Sequence, residues 1–164
     1  MVSARTAARR LLIGIGNPQR GDDGIGCTVA LRLLARKDCT RHVRVANGEA
    51  TSLMTAWNGF DDVVLVDACR GAGAPGSVHR LAGDELERLE SLRHASTHSL
   101  GVAGALGLSR ALGCAPARLV VYAVEGLRFE HGAPLSPEAE RGVAQVVALV
   151  VQEPEGEGTR EDAP

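Results

Sequence analysis

The stretch "LLIGIGNPQRGDDGIG", Leu11 to Gly26, decides the fold of this 164-residue chain. Its five opening residues carry no charge, which marks a strand buried on both faces. A glycine-rich turn comes next, and then an apolar repeat of helical period: Ile25, Val29 and Leu33 recur at i+4. Strand, tight turn and helix in immediate succession open an α/β unit. The turn itself is unusual in bearing two adjacent aspartates, Asp22 and Asp23. Asp22 is placed to cap the helix, and Asp23 has the same local use in its first turn. A phosphate cradle would offer amides and a lysine instead. "GIGNPQRG" is GxG-x4-G, not the GxGxxG dinucleotide pattern, and two carboxylates would repel a pyrophosphate. A nucleotide-binding module is thus the weaker reading of this loop.

The rest of the chain repeats the alternation. "HVRVA" (42–46) reads as a more exposed strand, and Leu53–Trp57 as a short helix. "DVVLVDA" has the β-branched run of a central strand ending at Asp67. "APGSVHRL" opens on a Pro-Gly turn and adds an edge strand, and "DELERLESL" is a short solvated helix. Ser99–Leu112 is a small-residue helix whose glycines imply close packing on a sheet. "RLVVYAVE" is a further buried strand. The last helix is capped by Ser136 with Pro137 at its first position and Glu138 and Glu140 in its first turn. These elements predict a phosphorylase/hydrolase-like three-layer α/β/α domain over residues 10–152, with a mostly parallel sheet. Residues 1–9 read as a flexible N-terminus and 153–164 as a disordered acidic tail.

Composition agrees. Apolar residues make up 45% of the chain and aromatics 2%, so the core is expected to be Val, Leu, Ile and Ala. A net charge of −2, with no basic run beyond the first ten residues, argues against nucleic acid as a partner. No apolar run reaches the ~18 residues of a membrane span, and the basic start makes a poor signal peptide. Cysteines 27, 39, 69 and 114 form no CxxC pair and read as free thiols in a reducing cytoplasm. Nothing in the chain demands more than a monomer.

Sites in open α/β sheets lie beyond the carboxyl ends of the strands. Acidic groups collect at those ends here. The first strand leads into Gly16, Asn17, Asp22 and Asp23, the second into Asn47, Gly48 and Glu49, the third into Asp67 and the last into Glu125. Carboxylates gathered together repel one another unless a cation neutralises them. "STHSLG" places His98 directly before the glycine-rich helix, whose positive end favours neutral, metal-ligating imidazole. Such a mixed oxygen and nitrogen set suits Zn²⁺ or Ni²⁺ better than Mg²⁺. Each residue also has a plainer use: Asp22 as a cap, Glu49 and Glu125 as loop carboxylates, Asn17 as a brace of its turn, Gly14 and Gly16 as packing sites. His42, His79, His94 and His131 lack both the helix start and the acidic company, and read as surface groups.

Four blocks, "GIGNPQRGDDGIG", "VVLVDA", "STHSLGVAGAL" and "VEGLRFEHGAPLSPEAE", occur in the order seen in the hydrogenase maturation endopeptidases, which the chain resembles over about residues 10–152. The resemblance implies removal of a C-terminal extension from the large-subunit precursor of a nickel–iron hydrogenase after nickel insertion. It implies that Asp23, Asp67 and His98 form the metal-contacting and catalytic triad, with the nickel carried by the substrate rather than held tightly by the enzyme. Gly16, Asn17, Asp22, Gly48, Glu49 and Glu125 would support it. One departure is "NGEAT", where many members carry Gly-Gly-Thr, so that Glu49 adds a carboxylate at the mouth. Two rival readings are a non-catalytic nickel-binding or chaperone module and a peptidyl-tRNA hydrolase-like enzyme. The second shares a "GxGNP" opening but not the residues after it.

Overall fold

A computed structural model describes residues 8–89 and 97–153. Residues 1–7 of the expected N-terminal segment 1–9, the end of the "DELERLESL" helix, His94 and residues 154–164 of the expected tail 153–164 lie outside the described residues. Five strands, β1 (Arg10–Ile15), β2 (His42–Ala46), β3 (Asp62–Cys69), β4 (Val78–Ala82) and β5 (Arg118–Glu125), form one sheet in the order β2-β1-β3-β5-β4. All neighbours are parallel except the β4 edge, which runs against β5. The helices are α1 (Ile25–Leu34), α2 (Ala50–Trp57), α3 (Gly83–Leu89), α4 (Thr97–Ala111) and α5 (Pro137–Gln152). The three-layer α/β/α architecture is the one expected.

Alternation along the strands divides the core. Leu12, Val64, Val66, Val120, Tyr122 and Val124 face α1 and α5, whose Val29, Leu33, Val143 and Val146 meet them. Leu11, Ile13, Val63, Leu65, Leu119 and Val121 face the other layer, where Leu53 and Trp57 of α2, Leu86 of α3 and Val102, Ala105 and Leu106 of α4 close over them. Aliphatic side chains dominate, but Trp57 and Tyr122 are the largest fully buried groups. The Trp57 indole N–H donates to Ser109 Oγ at 3.2 Å, which satisfies its one buried polar atom.

Helix α1 lies on the sheet at backbone distance. A Cβ on Gly26 would stand 2.3 Å from both the Ile15 and the Val66 carbonyl oxygens, and one on Gly14 would stand 2.1 Å from the Gly26 oxygen. Gly26→Ala therefore pushes β1 and β3 away from α1 together. The expected loss is about 3 kcal/mol or more, read as a lower urea midpoint; an unchanged midpoint would mean that the layers separate freely.

The α4 glycines are a partial correction. Gly101 does make a close approach, but to a loop: its Cβ would lie 2.0 Å from the Gly48 oxygen. Gly113 ends the helix with φ +67°, a left-handed cap. Gly104 and Gly107 face open space, and nothing in the structure requires glycine there.

The amino end of the sheet is closed by charge. Buried Asp62 meets Arg118 at 2.6 Å, Arg41 at 3.0 Å and Arg10 at 3.3 Å, and Glu153 reaches Arg41 at 2.9 Å. The carboxyl end is left for the site.

Candidate active site

Strand order places the site. The chain leaves β1 toward β2 on one side, and β3 lies on the other, so the carboxyl ends of β1 and β3 flank the topological switch point. Asp23 comes after β1 and Asp67 lies near the end of β3.

The β1 loop is built from its own amides. Gly16, at φ +127°, lets the chain turn under Asp23, whose backbone oxygen would be 1.9 Å from a Cβ there. Asp23 Oδ2 accepts the Asn17 amide at 3.1 Å, and Asn17 Oδ1 accepts the Gln19 amide at 2.9 Å. Asn17 thus braces the turn as expected, and Asp23 is half-buried over it.

Asp22 is a different matter, and the expected helix cap is not formed. A 3-10 turn over Gly21–Gly24 precedes α1, and neither it nor α1 receives a side-chain cap. Asp22 turns inward and is fully buried. Its Oδ1 accepts the Ser136 amide at 2.6 Å, and its Oδ2 accepts the Leu127 amide at 2.7 Å, the Ser136 hydroxyl at 2.8 Å and the Arg128 amide at 3.0 Å. Both oxygens are engaged, so Asp22 positions the loop rather than ligating a metal. Burial pushes its pKa up, but these hydrogen bonds outweigh burial and hold it below the usual carboxylate value.

Asp67 is buried, and its Oδ1 accepts the Ala68 amide at 2.8 Å. It shares its face of β3 with Val63 and Leu65, the face covered by α2 and α4. Cys27 comes four residues after Asp23, on the helical face turned to the loop. Its thiol donates to the Gly16 oxygen at 3.4 Å. Burial first, then the charges of Asp23 and Asp67, push the Cys27 thiol up. Both carboxylates thus act on the same thiol. Sequence reasoning misses Cys27 as a side chain that feels both charges, although its i+4 spacing from Asp23 is a legible signal.

His98 lies in the first turn of α4, which begins at Thr97, two residues earlier than expected. This turn is held near the β2 loop by the contact of Gly101 with Gly48, whose φ is +81°. Glu49, next in that loop, is exposed; its amide donates to Asn47 Oδ1 at 3.1 Å and its Oε1 accepts the Thr51 hydroxyl at 3.2 Å. Glu125 is not a solvated loop residue. It is buried at the end of β5, and its two oxygens accept the Gly71 amide at 2.5 Å and the Ala72 amide at 3.0 Å. It anchors the loop that comes after Asp67. His79 is not a free surface group either: it is half-buried and faces Cys69 and Glu125.

A model of the HycI hydrogenase maturation protease family matches residues 27–153. The chain belongs to the hydrogenase maturation protease family. It is 24% identical over 145 residues to the hydrogenase expression/formation protein HupD of Thiocapsa roseopersicina, covering 87% of this chain and 66% of that protein. The HupD of Rhodobacter capsulatus is 22% identical over 88% of this chain and 70% of its own length. The chain thus spans about two thirds of the curated relatives it matches. Among solved structures, the [NiFe] hydrogenase maturation protease HybD from Thermococcus kodakarensis superposes with a TM-score of 0.72 at 27% identity, over 86% of this chain and 95% of that one. The hydrogenase maturating endopeptidase HybD from E. coli gives 0.72 at 25% identity, over 87% and 89%. Membership in this protease family sets aside the peptidyl-tRNA hydrolase and nucleotide-binding readings. Among the described residues of this family member, no helix is long and apolar enough to cross a membrane.

Proposed function

We propose that the chain is the endopeptidase that removes the C-terminal extension of a nickel–iron hydrogenase large-subunit precursor, with the precursor's nickel as the signal that licenses cleavage. The observation that carries this reading is the topology: the loop after β1, with Asp23, and the end of β3, with Asp67, flank the switch point of the sheet, and both charges act on the Cys27 thiol. Family membership and the likeness to named maturation endopeptidases support it.

The cysteines near the site argue for carboxylate rather than thiolate chemistry. The Cys27 thiol is pushed up by burial and by both acids. Burial and then Glu125 push the Cys69 thiol up to about 12. Neither is a thiolate at neutral pH, and the thiolate is the nucleophile. Cys39 and Cys114 precede β2 and β5, at the opposite end of the sheet.

Asp23, Asp67 and His98 would receive the substrate's nickel, so that a precursor without nickel offers them nothing to bind. Docking brings the scissile peptide next to carboxylates able to accept a proton from attacking water. Water then adds to the peptide carbonyl and the amine leaves with the proton. All three groups come from one chain, so a monomer suffices, and four unpaired cysteines suit the reducing cytoplasm.

The test is an intact-mass assay on the cognate large-subunit precursor, nickel-loaded and nickel-free. Loss of a short C-terminal peptide only from the loaded sample is expected. Equal cleavage of both removes the nickel check, and cleavage of neither turns the reading to a non-catalytic assembly factor.

A further inference from the structure

Two residues beyond Asp67 on β3, three ligand types meet. Cys69 ends β3, His79 lies in β4 and Glu125 ends β5. One donor atom from each lies within 4.8 Å of the other two, the set of this kind found among the described residues. Register explains the meeting. Cys69 pairs with Glu125 across the parallel β3–β5 ladder, and His79 pairs with Ala123, two residues before Glu125, on the same face of the antiparallel β4–β5 ladder. We propose that Cys69, His79 and Glu125 form a site for a borderline divalent cation of the zinc class, separate from Asp23, Asp67 and His98.

The donor chemistry selects the ion. Sulfur, imidazole nitrogen and a single carboxylate suit Zn²⁺ or Co²⁺ and disfavour Mg²⁺ or Ca²⁺. Three protein ligands leave a fourth tetrahedral position for water. The carboxylate is oriented in advance, because the Gly71 and Ala72 amides hold both of its oxygens. The Cys69 thiol already points at it, donating to Glu125 Oε2 at 3.4 Å. Tetrahedral ligation wants donors roughly 3.5 Å apart, a contraction of about 1 Å within reach of side-chain rotation.

The surrounding loop leaves room for the imidazole. A Cβ on Gly73 would come 3.4 Å from the His79 ring and 2.9 Å from Ser77 Oγ. Ser77 Oγ lies 3.3 Å from His79 Nε2. On binding, the Cys69–Glu125 hydrogen bond breaks, a sulfur–metal bond forms, and the thiol proton goes to solvent. The ion then ties the strand end that carries Asp67 to the β4 edge. None of this depends on the peptidase reading.

The test is spectroscopic. The reduced, metal-free full-length chain is titrated with Co²⁺. A thiolate-to-cobalt charge-transfer band saturating at one equivalent, and erased by Zn²⁺, is expected. Cys69→Ser removes the band and His79→Ala weakens binding by more than about tenfold, while Cys27→Ser and Asp67→Asn keep it. His79 is half-buried on an edge strand, so His79→Ala retains the fold if Cys69→Ser does not, as circular dichroism will show. No band in the parent chain overturns the site. So does a band that survives in folded His79→Ala at unchanged affinity, or one lost in Cys27→Ser alone.

Discussion

His98→Ala abolishes release of the precursor's C-terminal peptide and leaves the far-UV spectrum and melting temperature of the protease unchanged. The expected fall in rate is on the order of a thousandfold or more, about 4 kcal/mol of transition-state stabilisation. The fold survives because α4 is fixed downstream of its first turn. Val102, Ala105 and Leu106 anchor it to the sheet, and Gly101 seats it on the Gly48 carbonyl. The activity does not survive because the one nitrogen ligand of the proposed set is gone, and two carboxylates alone hold a borderline metal less well. The measurement is the same intact-mass assay with nickel-loaded precursor. A folded His98→Ala protein that processes at the normal rate would take His98 out of the site.

Asp22→Asn unfolds the protein far more readily, although it changes one atom. Four donors converge on the Asp22 carboxylate. Whichever way the amide is turned, its NH₂ meets at least one of them, donor against donor. The loss is about 2–4 kcal/mol, a fall of about 10 °C in melting temperature for a chain of this size. The effect depends on pH with a fixed sign. Hydrogen bonds that outweigh burial keep the folded pKa of Asp22 below 3.8. The stability from its charge is therefore fully present above about pH 4 and is lost as pH falls through the folded value. Asp62 contributes in the same direction, because Arg41 and Arg118 outweigh the effect of its burial. The parent chain thus loses stability steeply below about pH 4, and Asp22→Asn shows a shallower slope there. Superimposable melting profiles of the two across that range would remove Asp22 from its structural role.

Local sequence carries the strands and helices because each is a local pattern. β1, β3 and β5 are runs nearly bare of charge, and the α1 stripe repeats at i+4. Asp67 stands out in the sequence because a carboxylate near the end of a central strand has few structural uses, although β3 runs on to Cys69 rather than stopping there. Ser136 is legible as a cap from the Pro and Glu that come after it, and its hydroxyl does accept the Ala139 amide at 3.1 Å. The hidden features depend on partners remote in the chain. Asp22 looks like a cap because its near neighbours make it one, whereas its real partners stand 105–114 residues later. His79 looks solvated until the β4–β5 register sets it beside Glu125. Glu125 itself is claimed by amides 53 and 54 residues upstream. Periodicity reports which face a residue occupies, not which distant loop is folded against it.

The Asp22–Ser136 contact also sets a clock for synthesis. The loop that presents Asp23 is pinned by amides from residues 127, 128 and 136, which leave the ribosome long after β1. Contacts of such separation close late, once the loop-closure entropy between them has been overcome. A nascent chain that has exposed β1, β3 and even α4 still lacks the pin beside its acidic pair. The loop that bears Asp23 thus takes its final place only with the segment that leads into the last helix.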